Sequence, residues 1–114
     1  MMELTFQEYA KLSRQTAIYP TKDTAYGWIY PTLGLAGEAG EVANIIKKII
    51  RDEEGIPSSS DRISVAKELG DVLWYVAQLV HELGLSLEEI AQGNLDKLFS
   101  RMERGKLQGS GDDR

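Results

Sequence analysis

The stretch that decides the fold is "LGLAGEAGEVANII", Leu33 to Ile46. Read on into Ile49, its apolar residues Leu35, Val42, Ile45, Ile46 and Ile49 recur at helical spacing. Glu38 nevertheless stands four residues before Val42, seven before Ile45 and eleven before Ile49, on the stripe that should face a neighbour. Glu41, three residues on, lies about one turn along the same side. Gly34, Gly37 and Gly40 crowd the same segment, where each glycine costs roughly 1 kcal/mol relative to alanine. Helix stability did not select these residues.

Outward from this stretch the helical pattern runs from about Tyr26 to Arg51, with Pro31 either kinking it or marking its true start. Upstream, Thr5-Phe-Gln-Glu8 reads as a capping box opening a short helix to about Thr16, and Tyr19 to Asp23 reads as a loop. Downstream, "DEEGIPSSSD" (Asp52 to Asp61) is a polar linker. A third helix is expected from about Asp61 to Leu83, with Gly84 as its stop. Ser86-Leu-Glu-Glu89 is a second capping box, opening a fourth helix to about Met102. No strand pattern or internal repeat appears. The expectation is an all-α bundle of four to five helices, one domain over residues 1–104, with a flexible tail at residues 105–114.

The third helix repeats the misplaced acids. Glu68 is three residues after Val65, four before Val72 and seven before Tyr75, and Asp71 follows at i+3. Two helices therefore each present a carboxylate pair on the side that should be buried. The 26 residues between Glu41 and Glu68 suffice to end one helix, turn and pack the next antiparallel, so that the four acids converge. Ionised carboxylates crowded in a low-dielectric groove repel one another and lose hydration. Cations relieve both costs, and an all-oxygen site suits Mg²⁺, with Mn²⁺ as a substitute. The competing reading makes these acids solvated faces or partners of Lys47, Lys48 and Lys67.

Composition bounds the alternatives. The chain has 114 residues, 42% hydrophobic and 27% charged, which is one ordinary globular domain. It has no cysteine, hence no disulfide scaffold or thiolate metal site, in keeping with a reducing cytoplasm. No run approaches the roughly 18 apolar residues of a membrane span, and the Met1-Met2-Glu3-Leu4 start lacks the features of a signal peptide. A net charge of −5 argues against a nucleic-acid polymer as partner. A single His81 and no cysteine leave no nucleophile triad to assemble.

"LGLAGEAGEV" with the lysines after it, and "KELGDVLWYVAQLVHELGLSLEEIAQGNLDKL" (Lys67 to Leu98), resemble the MazG-like family of all-α nucleoside triphosphate pyrophosphohydrolases over about Tyr30 to Arg104. The resemblance implies that Glu38, Glu41, Glu68 and Asp71 bind Mg²⁺ and carry the catalysis. It implies cleavage of an NTP or dNTP between the α and β phosphates, in nucleotide-pool house-cleaning. It also implies a homodimer or homotetramer (a dimer of dimers) that completes the bundle. Asn94, Lys97 and Arg101, at i, i+3 and i+7, share one face of the fourth helix. "NLDKL" resembles the family's substrate-contacting stretch, which makes Asn94 and Lys97 phosphate contacts, with Arg101 beside them. Lys48 and Lys47 are further basic candidates, and Trp28 and Tyr30 of "AYGWIYP" are candidates for stacking on a base.

Two other classes compete. A di-iron bundle would need Glu-x-x-His twice, and no such motif is present. A non-enzymatic oligomerisation module would use the glycines with Ala36, Ala39 and Ala43 for close packing, but leaves the acids without a role.

Overall fold

Local signals start and stop the helices. The computed structural model describes residues 3–114, so the reading of the Met1-Met2 start lies outside the described residues. Four helices appear: α1 (Phe6–Arg14), α2 (Ile29–Asp52), α3 (Ser59–Glu82) and α4 (Leu87–Glu103). No strand occurs among the described residues. Thr5 and Ser86 each accept a hydrogen bond from the amide three residues on, Glu8 at 3.0 Å and Glu89 at 3.2 Å. In both caps the reciprocal glutamate bond expected from the sequence is not formed. The reciprocal box belongs instead to Ser58 and Asp61, so α3 starts inside the stretch read as a linker. Gly84, at φ 67°, ends α3 as expected: its amide reaches the His81 carbonyl and Leu85 reaches Val80 at 2.9 Å. Pro31 does not kink α2 but lies in its first turn, where a missing N–H costs nothing.

Packing follows the apolar stripes. α2 and α3 form the principal pair, with Ile49 buried and Val42, Ile45, Val65 and Val72 half-buried between them. α1 crosses the far part of α3, where Ala77, Val80 and Leu87 form a small core with Tyr9, Ala10 and Val76. Gln78, 1% exposed, fixes α1 through Ser13 Oγ at 3.1 Å and the Arg14 guanidinium at 3.1 Å. Trp74 bridges the same elements, donating to Thr16 Oγ1 at 2.8 Å and standing edge-on to Tyr19 and Tyr75. α4 packs chiefly on α1. The result is open: the radius of gyration is 17.1 Å, against about 13 Å for a compact domain of this length. Ile46, Ile50, Leu69, Leu73, Leu95 and Phe99 remain exposed.

The three crowded glycines separate by role. A methyl built at Gly34 would overlap the Tyr75 ring, whereas Gly37 and Gly40 face open space. Gly34 is thus what lets α3 approach α2 at the level of the acids. Gly34→Ala is expected to lower stability by roughly 1 kcal/mol net, overpacking outweighing the gain in helix propensity. Gly37→Ala should instead stabilise by up to about 1 kcal/mol. Paired urea-unfolding curves check the opposite signs, and a stabilising Gly34→Ala would refute the contact.

Candidate functional site

The antiparallel packing of α2 on α3 brings three of the four misplaced acids together. One carboxylate oxygen from each of Glu38, Glu68 and Asp71 lies within 4.8 Å of the other two. Glu38 and Glu68 are half-buried and Asp71 is exposed, so the cluster opens to solvent on the Asp71 side. Glu41 stands outside the trio, exposed one turn further along α2. The expected ring of four is therefore a cluster of three with a fourth acid beside it. Glu41 lines the adjoining groove with Glu68 instead.

Electrostatics mark the trio as uncompensated. The neighbouring Glu68 carboxyl, above all, holds the Glu38 carboxyl above the usual carboxylate range, followed by burial and the charges of Asp71, Glu68 and Glu41. No lysine or arginine forms an ion pair with any of the four acids among the described residues. The alternative in which Lys47, Lys48 or Lys67 neutralises them is not what the structure shows. An all-carboxylate set with one side open to water suits a hard divalent cation, and the raised Glu38 is what such a set does without one.

A groove of about 410 Å³ continues from the trio along α2 and α3, lined among others by Glu41, Asn44, Lys48, Glu53, Asp61 and Glu68. Lys48 thus faces the groove floored by two of the acids. Aromatic hydroxyls also stand within reach of the acids' charges. Tyr75 is pushed up by burial, then by Tyr30, Glu38 and Asp71. Tyr9 is likewise pushed up by burial and by Asp71. Sequence reasoning missed Tyr9, because no spacing rule links a residue of α1 to an acid of α3. A larger cavity, about 470 Å³, lies between α1, the end of α3 and the start of α4, away from the acid trio.

The other candidates form no hydrogen bond or ion pair with the acids among the described residues. Tyr30 stacks on Tyr19, centroids 5.5 Å apart and planes 4° from parallel, so one ring face is already covered. Trp28 donates its indole N–H to the Ala25 carbonyl at 3.1 Å and keeps an exposed ring. Asn94 is exposed on α4. Lys97 and Arg101 both bind Asp112 Oδ1, at 2.8 and 3.1 Å. No hydrogen bond or ion pair joins these bases to the acids among the described residues. Residues 105–114, expected to be a flexible tail, are drawn back onto α4 by these contacts.

A second polar cluster had no sequence signal. Glu82, its side chain 2% exposed, accepts hydrogen bonds from the Tyr19 hydroxyl, from Arg14 Nη2 at 3.0 Å and from the Asp23 amide at 3.1 Å. Arg14 also binds Asp23 at 2.7 Å. Gly27 leaves room for it, since a methyl there would overlap the Glu82 carboxylate. The cluster ties α1 and the loop after it to the end of α3.

The family model described as MazG nucleotide pyrophosphohydrolase domain matches residues 31–105, from the first turn of α2 to the end of α4. The chain is also similar to the "Gene 37 protein" of Mycobacterium phage L5, 50% identical over 109 residues, which cover 93% of this chain and 96% of that protein. No solved structure matches.

Proposed function

This chain belongs to the MazG nucleotide pyrophosphohydrolase family, and on that premise we propose that it hydrolyses a nucleoside triphosphate, a dNTP foremost, between the α and β phosphates, releasing the monophosphate and pyrophosphate. The observation that carries the reading is the convergence of Glu38, Glu68 and Asp71 within 4.8 Å. These three are the proposed ligands of Mg²⁺, or of Mn²⁺ in its place, with Glu41 beside them. When bound, the cation would offset charge building on the polyphosphate.

The chain's own residues supply the rest. Glu41, outside the trio and with no hydrogen-bond partner among the described residues, is free to accept the proton of an attacking water. Lys48 across the groove offers a positive charge to a phosphate oxygen. Tyr75 and Tyr9, whose hydroxyls both feel the Asp71 charge, stand beside the acids and leave Asp71 open to the attacking water. Trp28 is the proposed base-stacking residue ahead of Tyr30, because Tyr19 already stacks on one face of the Tyr30 ring. Asn94, Lys97 and Arg101 are proposed phosphate contacts.

The exposed apolar residues on α2, α3 and α4, with the high radius of gyration, support a homo-oligomer in which another copy covers these faces. A homodimer or a dimer of dimers is the proposed form, acting in the cytoplasm on the nucleotide pool. No helix among the described residues is long and apolar enough to cross a membrane.

A panel of canonical and modified NTPs and dNTPs with Mg²⁺, scored for pyrophosphate against orthophosphate, tests the reaction. Pyrophosphate with a monophosphate is the expected pair of products. Orthophosphate alone, or no turnover on any nucleotide, would overturn the proposal.

A further inference from the structure

α4 carries three cations at helical spacing, Lys97, Arg101 and Arg104, and each takes an oxygen from the chain's last residues. Lys97 Nζ reaches Asp112 Oδ1 at 2.8 Å, Arg101 Nη2 reaches the Asp112 carbonyl at 2.5 Å and Oδ1 at 3.1 Å, and Arg104 Nη2 reaches the Arg114 carbonyl at 2.9 Å. Steps of four and three residues set the three side chains in one row. From this row we propose that Lys97, Arg101 and Arg104 form a seat for a condensed phosphate, and that the C-terminal segment occupies that seat as an internal competitor. The inference rests on the triphosphate reading above and adds to it Arg104 and the regulation of the phosphate contacts.

Arg101 carries the argument. Its side chain is 5% exposed, while the Asp112 carboxylate that answers it is 79% exposed. A guanidinium hidden from water needs an anion beside it. The segment supplies one and leaves the job unfinished: Arg101 Nε is buried without an acceptor among the described residues. A guanidinium presents several donors in a fixed fork, matched better by a tetrahedral oxyanion than by one carboxylate oxygen and a carbonyl. The occupant holds a place shaped for something with more oxygens.

The segment is built to sit there and to leave. Arg114 folds it into a loop, donating to the carbonyls of Gly111, Leu107 and Lys106 at 2.6, 2.9 and 3.1 Å. Gly105, Gly109 and Gly111, all at positive φ, permit the tight path. Its contacts with α4 are polar and mostly solvent-facing, which makes displacement by a ligand of higher charge inexpensive. Lys97 first and Arg101 second hold the Asp112 carboxyl below its usual range, as expected of an anion seated on cations.

Calorimetry of inorganic tripolyphosphate, with EDTA present so that no divalent cation contributes, tests the seat on the full chain. Asp112→Ala removes the competing carboxylate, and Arg114→Ala opens the loop without altering any residue of the row. Each is expected to tighten binding by roughly tenfold, for a seat occupied by the segment about 90% of the time. Lys97→Gln with Arg101→Gln should abolish binding. Equal affinity in the wild type and in both tail variants overturns the competitor, and binding that survives the double glutamine variant overturns the seat. Because the assay needs neither metal nor turnover, it is read independently of whether the hydrolase reading stands. If that reading also stands, Asp112→Ala should lower KM for the nucleotide and leave kcat unchanged.

Discussion

Glu68→Gln and Asp71→Asn are each expected to reduce Mg²⁺-dependent pyrophosphate release at least about 100-fold, the loss typical for one preorganised electrostatic contact to the reacting charge. The same substitutions should raise the melting temperature of the metal-free protein. Both directions have one cause. The trio holds its carboxylates within 4.8 Å with no lysine or arginine paired to them, and Glu38 is already held above the usual range chiefly by Glu68. Removing one charge relieves that repulsion and, in the same act, removes a ligand. Mg²⁺ at about 100 times its Kd should stabilise the wild type by about 2.7 kcal/mol and leave the variants unmoved. Thermal melts with and without Mg²⁺, run beside the turnover assay, read all three effects. Undiminished turnover in both variants would remove the trio from the mechanism. A wild type that no divalent cation stabilises would favour the non-enzymatic oligomerisation module.

The second large effect concerns stability rather than chemistry. Glu82→Ala is expected to cost about 3 kcal/mol, because it leaves the mostly buried Arg14 charge and the Tyr19 hydroxyl without their deepest partner. Asp23 continues to answer Arg14 at 2.7 Å, which keeps the loss at the lower end of the range for a broken buried pair. For a domain of this length that is roughly 10 °C in melting temperature. The pH dependence has a definite sign. Burial pushes the Glu82 carboxyl up, but bonds from Tyr19, Arg14 and the Asp23 amide together outweigh it and hold the group below its ordinary value. A depressed carboxylate contributes stability above its unfolded pKa of about 4.3, and that contribution is lost as pH falls through the lower folded value. Glu82→Gln should therefore flatten the wild type's loss of stability below about pH 4. A variant with an unchanged melting temperature and acid limb would show that the cluster contributes nothing net.

Sequence alone determined the class of fold and the acids. A 3.6-residue repeat of apolar side chains needs no tertiary knowledge to read as a helix, and Glu38 and Glu68 declared themselves by interrupting it. Gly84 and the Ser86 cap were legible because those signals are local. The Ser58 cap was equally local, but it was hidden in a run of three serines. Other features were decided only when helices met. Whether Glu41 joins the trio depends on the rotation of α2 against α3, a matter of angle that an i+3 spacing leaves open. The role of Gly34 depends on a ring 41 residues away, and the Arg14–Glu82 pair spans 68 residues. Periodicity reports which side of one helix faces inward. It is silent on which atoms wait there, because that is set by packing between distant segments.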